Sequence, residues 1–496
     1  LGSIMKFDLS AKTRKEMALR YKEWEEVESV SPVKEILHSV ALILAMTDKY
    51  ATIVTNPPYM GQANMNNVML AYIRSNYDIG KADLMTVFML IEQNSLLHCG
   101  KYGMINMHSW MFLSSFDKLR ASIIDGMFVD SMLHLGSRTF DEISGEVVQN
   151  TAFVMTNSTI DCKGVYIRLV DGRNCEEKNS LFITRPKQIV FTRALSEFEL
   201  IPGYIFAYWV SDKVAATFSY PKLGDVAQGR TGNNTGDNGR FLKQWSEVSF
   251  PKINFGMKPN MKFDNAYKWV PSNKGGTFRR WYGNNEFVMN WYDDGKEMKE
   301  YAVVRNNGKH WSRYIQNLDS FYKEGASWGM ITIGDFALRY CPGGFINASA
   351  ANGTYPDKRR LNYVIGLGNS KYVDMILKLI NPTINTTPGA FNSIPYIEIP
   401  DHSIIDTQVQ SCINISKTDW DSHETSWDFK GNELIRIYKE NHGEGIFMDA
   451  NRLEDIVTLY KEYWTAQFKQ LHANEEELNR QFIEIYGLQD ELTPDV

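Results

Sequence analysis

The chain has 496 residues, of which 43% are hydrophobic and 23% charged, with a formal net charge of −6. This is the composition of a globular protein of about three domains, and it excludes a disordered segment, a collagen-like or coiled-coil rod and a small disulfide scaffold. The longest apolar runs, residues 40–46 and 84–91, fall short of the roughly 20 residues of a membrane span.

No stretch reads as a secretion signal. The five Cys (Cys99, Cys162, Cys175, Cys341, Cys412) are scattered and form no C-x-x-C pair. That points to a reducing compartment and away from structural zinc. The expectation is a soluble, cytoplasmic protein with no metal and no membrane contact.

Residues 11–27 and 33–46 carry helical apolar spacing, and Ser31-Pro32 reads as an N-cap followed by Pro at the first helical position. Residues 51–55 are a short β-branched strand running straight into Asn56-Pro57-Pro58-Tyr59. A helix over 83–97, a strand over 102–107, a helix over 115–124 and strands over 128–135 and 147–155 follow. Such alternation predicts an α/β sheet. Beyond about residue 185 turns crowd in, at 229–239, 271–276, 283–285 and 293–295, with short strand-like runs between them. The divisions expected are a helical lead-in over 1–50, an α/β half-domain over 51–184, a mostly β domain over 185–400 and an acidic helical region over 401–496. Within the last, residues 453–471 and 475–486 have helical spacing.

Charge is unevenly placed. Residues 222–280 hold eleven Lys/Arg against four Asp/Glu, whereas 401–496 hold eight against twenty. A basic stretch interleaved with Phe241, Trp245, Phe250, Trp269 and Trp281 suits a nucleic-acid surface. The plainer reading is a solvated charged face over buried rings.

The residues that point to chemistry are Asn56-Pro57-Pro58-Tyr59, at the C-terminal end of a strand, where open α/β sheets bind ligands. An exocyclic amine on a base or amide is a poor nucleophile, because its lone pair is delocalised. The Asn56 amide oxygen and the Pro57 carbonyl can accept its two hydrogens and turn the lone pair towards an electrophilic methyl group. These bonds strengthen as charge develops on nitrogen, so they favour the transition state. The prolines remove N–H donors and hold the turn extended, and Tyr59 offers a face on which an unstacked base can lie. The alternative is a double-proline turn that follows a strand by chance.

This turn resembles the signature of amino-group methyltransferases that use S-adenosylmethionine, whose acceptors include DNA adenine, RNA bases and protein glutamine. The basic, aromatic, Gly/Asn-rich domain downstream favours DNA. Within it, 228–234 and 273–280 are candidate groove-facing loops, with Arg230, Asn233, Lys243, Lys274, Arg279 and Arg280 the candidate DNA contacts. Residues 361–400 resemble the end of target-recognition domains in restriction-modification specificity subunits, a helix followed by a strand closing on Ile399-Pro400. Gly366-Leu367-Gly368 lacks a third glycine and reads as a turn, not as a phosphate loop.

Further pieces are Met60-Gly61 beside that turn, 109–116, 132–138, Phe140-Asp141-Glu142 with 145–149, 424–429 and 485–494. Together they resemble the adenine-specific DNA methyltransferases of BREX phage-exclusion systems (PglX-like). The resemblance implies part of a Rossmann-like methyltransferase sheet, a mostly β target-recognition domain and a helical tail. It also implies methyl transfer to adenine N6 in a short duplex DNA site. By the same resemblance Phe140 is a candidate second ring against the flipped base; the plainer reading is a core Phe. The family's Gly-rich S-adenosylmethionine loop is expected upstream of Asn56, where residues 1–50 read as helices. Asn56 and Pro57 would then line only the edge of the cofactor pocket, and weak cofactor binding by this chain is expected.

His98, His108 and His134 lie in or beside apolar elements and read as structural. Other defence-system subunits and an acidic DNA mimic are conceivable partners of the basic surface. Two other readings stay open: a non-catalytic recognition component of the same system, and an RNA or protein amino-group methyltransferase.

Overall fold

A computed structural model of the chain describes residues 2–25, 31–140, 148–160, 162–331, 334–381, 385–442 and 453–496. It divides into two units, Leu1–Ala215 and Ala216–Val496.

The first unit is built on a mixed six-stranded sheet. Its strands are β1 (Tyr50–Thr55), β2 (Leu96–Met107), β3 (Phe128–Gly136), β4 (Asn150–Thr156), β5 (Lys163–Arg168) and β6 (Val190–Ala194), in the order β1-β2-β4-β3-β5-β6. β1 runs parallel to β2 and β3 parallel to β5, while β4 is antiparallel to both of its neighbours. Helices α1 (Ala11–Glu25) and α2 (Ser31–Thr47) precede the sheet; α3 (Asn67–Asn76), α4 (Leu84–Ser95), α5 (Asp117–Gly126) and α6 (Cys175–Thr184) follow in turn. Asn66 caps α3 by accepting from the Met69 N–H, and Asp83 caps α4 by accepting from the Met85 N–H. Met85, Val87 and Met89 of α4 and Tyr102, Val129, Met132, Phe153 and Met155 of the strands are buried. That apolar burial is the main term holding helices to sheet.

Two differences from the sequence reading have simple causes. The sheet passes residue 184, because Val190–Ala194 pairs antiparallel with β5. The strand at 102–107 is longer, because Leu96–Lys101 also pair, Tyr50 opposing Leu96 and Thr52 opposing Lys101.

The second unit holds two small antiparallel sheets of short strands. One is β8-β10-β9 (Leu242–Gln244, Phe287–Asn290, Trp269–Ser272). The other is β12-β11-β13-β7 (Arg339–Cys341, Gly325–Gly329, Ala351–Thr354, Gly229–Arg230). Phe241, Trp291, Phe321 and Tyr322 centre one core. Of the aromatics of the basic stretch, Phe241 and Trp281 are interior, Trp245 and Trp269 half-buried and Phe250 exposed. Helices Leu361–Gly368, Lys371–Ile380, Ser403–Asp421 and Leu453–Ile485 form the C-terminal part, the last spanning in one run what the sequence divides in two.

Two expectations fail here. Gly366-Leu367-Gly368 is helical, not a turn: a Cβ at Gly366 would lie 2.8 Å from Val409 Cγ2 and one at Gly368 2.6 Å from Leu338 Cδ2, so these glycines permit close packing. The strand expected to close on Ile399-Pro400 is replaced by a single bridge, Lys222 to Pro395. No helix among the described residues is long and apolar enough to cross a membrane.

Candidate active site

β1 and β2 end, and β4 begins, at one edge of the first sheet. Thr55 is the last residue of β1, and Met107 of β2 pairs with Asn150 of β4, which also pairs with Gly136 of β3. The Asn56-Pro57-Pro58-Tyr59 turn leaves β1 at this edge. Asn56 and Pro58 are exposed, Pro57 is buried and Tyr59 half-buried. The fully buried strand neighbour Asn150 supplies the wall behind them.

Tyr59 joins the pieces. Its hydroxyl donates to Asn56 Oδ1 at 3.1 Å, with the Ile105 carbonyl further off at 3.4 Å, and accepts from Asn150 Nδ2 at 3.4 Å. An amide oxygen has two acceptor sites, so Asn56 Oδ1 keeps one free while the Tyr59 hydroxyl fixes its direction. Burial raises the Tyr59 pKa, so the hydroxyl stays a donor across the neutral range.

The far side of the turn is anchored as firmly. Asp83 Oδ1 accepts from the Met60 and Met85 N–H groups, both at 3.1 Å. The Leu84 N–H reaches the Met60 carbonyl at 2.9 Å and the Gln62 N–H the Ala82 carbonyl at 3.0 Å. One carboxylate thus caps α4 and holds the chain just after Tyr59. Burial raises the Asp83 pKa against three backbone donors that lower it. Behind Asn150, Asn106 accepts from Trp110 Nε1 at 3.0 Å.

Sequence reasoning missed Asp83, Asn106 and Asn150. Their signal was there: Asp83 stands at the N-cap position before an apolar run, and each Asn interrupts an apolar strand, where a buried amide needs partners.

Phe140, 36% exposed, lies four residues past the end of β3. Of the other candidates, His98 is exposed, whereas His108 Nδ1 and His134 Nε2 are 2.7 Å apart and His134 Nδ1 lies 2.8 Å from the Tyr208 hydroxyl. Burial holds both imidazoles well below the usual histidine range, which makes this a neutral hydrogen-bonded chain. Among the described residues no group of three or more His, Cys, Asp or Glu could hold a metal.

In the second unit the candidate DNA contacts divide. Arg230 pairs with Asp319 (3.2 Å), Arg279 with Asp419 (2.9 Å) and Arg280 with Glu475 (3.0 Å). Asn233 is buried, its Oδ1 accepting from the Gln316 N–H at 2.8 Å, and Gly229–Arg230 pair as a strand with Gly353 and Thr354. Within 228–234, Gly229, Gly232 and Asn233 are buried and Arg230 partly so, while Gln228, Thr231 and Asn234 are exposed. Lys243 and Lys274 are partly exposed, Lys274 lying 4.4 Å over the Phe287 ring.

The Eco57I restriction-modification methylase family model matches residues 5–140. Over 480 residues, 95% of this chain, it is 34% identical to adenine-specific methyltransferase PglX of Lacticaseibacillus casei (strain Zhang). Over 474 residues, 94% of the chain, it is 31% identical to adenine-specific methyltransferase BrxX of Escherichia coli O9:H4 (strain HS). The chain is a relative of these adenine-specific methyltransferases. It spans 39% of the length of PglX and 36% of BrxX. Among solved structures, the Type IIL restriction-modification enzyme MmeI in complex with DNA superposes with a TM-score of 0.51 at 12% identity, over 91% of this chain and 57% of that one. The fold is thus shared with a restriction-modification enzyme, and the resemblance to PglX-like methyltransferases holds along nearly the whole chain.

Proposed function

We propose that this chain carries the methyl-transfer edge and the target-recognition part of a DNA methyltransferase. The enzyme is S-adenosylmethionine-dependent, modifies adenine N6 and serves a bacterial phage-defence system. The observation that carries this reading is Asn56, exposed at the end of β1 with its amide oxygen directed by Tyr59 and one acceptor site free. Asn56 Oδ1 and the Pro57 carbonyl accept the two N6 hydrogens, drawing the nitrogen towards tetrahedral geometry. The Tyr59 ring stacks on the flipped adenine, and Phe140 faces it from the loop after β3. S-adenosylmethionine, when bound, supplies a methyl group on a sulfonium. Asn56 and Pro57 fit the methyl-bearing end of that molecule, and no residue of this chain is assigned to its adenosine.

The partner is double-stranded DNA, with Lys243 and Lys274 at its phosphates. The ion-paired Arg230, Arg279 and Arg280 join them only where DNA displaces their carboxylates, and Asn233 acts from within the fold. Further defence-system subunits, or an acidic protein mimicking DNA, suit the same surface.

The test offers the native protein labelled S-adenosylmethionine together with duplex DNA, RNA and a cell-protein fraction. Label on adenine N6 of DNA is expected; label on RNA or on protein glutamine overturns the acceptor. On the same reading Lys243→Ala with Lys274→Ala flattens the salt dependence of duplex binding by about two counterions. Arg279→Ala with Arg280→Ala changes that slope less.

A further inference from the structure

The basic segment carries rings that the core does not use. In residues 250–258, Ile253 and Met257 are buried. Ile253 bridges to Trp269, and the Asn254 N–H donates to the Trp269 carbonyl at 2.8 Å, so this backbone is braced. Phe250 and Phe255 are nevertheless 48% and 38% exposed, and neither joins the core around Phe241 and Trp291. They are the middle of a row. Trp245 lies 6.1 Å from Phe250, Phe250 5.4 Å from Phe255, Phe255 5.4 Å from Trp427 and Trp427 5.9 Å from Phe345, centroid to centroid. Neighbouring Phe rings left in water on a braced backbone mark a contact surface.

The row borders a cavity of about 390 Å³ whose wall includes Phe250, Phe255, Tyr282, Phe345 and Trp427, a volume in the range of small-ligand sites. Tyr282 and Phe345 are buried, Trp427 is half-buried and the two Phe are open to solvent, so the wall is aromatic from its inner to its outer side. Its charged residue, Asp428, lies 3.8 Å from the Lys417 ammonium, which leaves the wall close to neutral. The segment that carries the two Phe is basic: residues 250–268 hold four Lys, all exposed, against one Asp. Open aromatic rings on a basic segment suit a ligand of flat rings joined by negative charge, which is single-stranded nucleic acid. In a duplex the bases are stacked on one another and their faces are closed to a protein ring.

We propose that this row is a stacking platform for unpaired bases of single-stranded DNA, with Phe250, Phe255 and Trp427 as its contact rings and Lys258 and Lys262 at the phosphates. That the strand is DNA rests on the function proposed above. The stacking does not, because every base has a π-face.

The experiment follows the fluorescence anisotropy of a short labelled oligodeoxynucleotide as the intact chain is added, beside the same sequence as RNA and as duplex DNA. Single-stranded DNA is expected to bind. Phe250→Ala with Phe255→Ala should weaken it by about tenfold or more, while duplex affinity and melting temperature stay near wild type. Phe250→Leu keeps apolar bulk and loses the ring, so it too should weaken single-strand binding; if the double variant does not fold, it decides alone. Lys258→Ala with Lys262→Ala should flatten the salt dependence by about one to two counterions. Methylation is not read, so failure of the transfer chemistry leaves the result untouched. No single-strand binding by wild type at low salt, unchanged affinity in the folded Phe variants, or equal loss of duplex and single-strand binding overturns the platform. Tighter binding of the RNA overturns the assignment to DNA.

Discussion

At the scale of single residues, Tyr59 has two separable jobs. Its ring offers stacking area, and its hydroxyl directs Asn56 Oδ1 from 3.1 Å. Tyr59→Ala removes both and is expected to weaken capture of the flipped base by about 1–3 kcal/mol. Tyr59→Phe keeps the ring and removes the hydroxyl, so kcat should fall while KM for DNA stays near wild type. Equal kinetics for Tyr59→Phe and wild type would show that Asn56 needs no such guide. The histidine pair gives a pH prediction. Both imidazoles are held below the ordinary value of 6.5 in the fold. Their contribution to stability is therefore complete above that pH and lost progressively as pH falls below it. Lowering the pH from 7 to 5 at constant salt should lower the melting temperature by roughly 5–10 °C. His134→Gln should flatten that profile, and a flat wild-type profile would mean the pair titrates normally. The sequence marks these histidines as structural, but the 2.7 Å contact between rings 26 positions apart comes only from the pairing of strands.

At the scale of elements, the turn was legible because its chemistry is local. Asn56, Pro57, Pro58 and Tyr59 are consecutive, and β-branched residues before them announce the strand. What completes the site is not local: Asp83 and Asn150 arrive from 23 and 91 positions away from their partners at Met60 and Tyr59. Such positions are set by sheet order and not by any pattern in the neighbouring residues. The glycines at 366 and 368 mislead for a related reason. Gly is a poor helix former, yet tertiary packing against Val409 and Leu338 selects it here. Gly366→Ala should cost about 1–3 kcal/mol through overpacking, measured by urea unfolding. No loss would mean that the interface has room the structure does not show.

At the scale of the molecule, charge is where sequence and structure diverge most. The basic stretch and the acidic tail look like an outward-facing cation surface and a separate anionic region. Within the second unit they partly meet: Arg279 pairs with Asp419, and Arg280 and Trp281 both bond Glu475. Charge counted along a chain cannot distinguish a surface awaiting DNA from one already paired internally. Arg339 shows the converse, since nothing in its neighbours Leu338, Tyr340 and Cys341 announces a buried cation whose Nε and Nη2 find no hydrogen-bond partner among the described residues. The α/β sheet, by contrast, is legible in the alternation of strands and helices, though not its mixed parallel and antiparallel pairing, and similarity along 94–95% of the chain to PglX and BrxX agrees with the family that the motifs suggest.

The central claim is that Asn56 acts on the amino group during transfer. The most direct measurement is N6-methyladenine formed in duplex DNA by the native protein and by its Asn56→Ala variant, quantified by nucleoside mass spectrometry beside duplex affinity. The account predicts loss of methylation by a factor on the order of 10²–10³, with DNA affinity within a few-fold of wild type. Wild-type levels of N6-methyladenine from Asn56→Ala would contradict it.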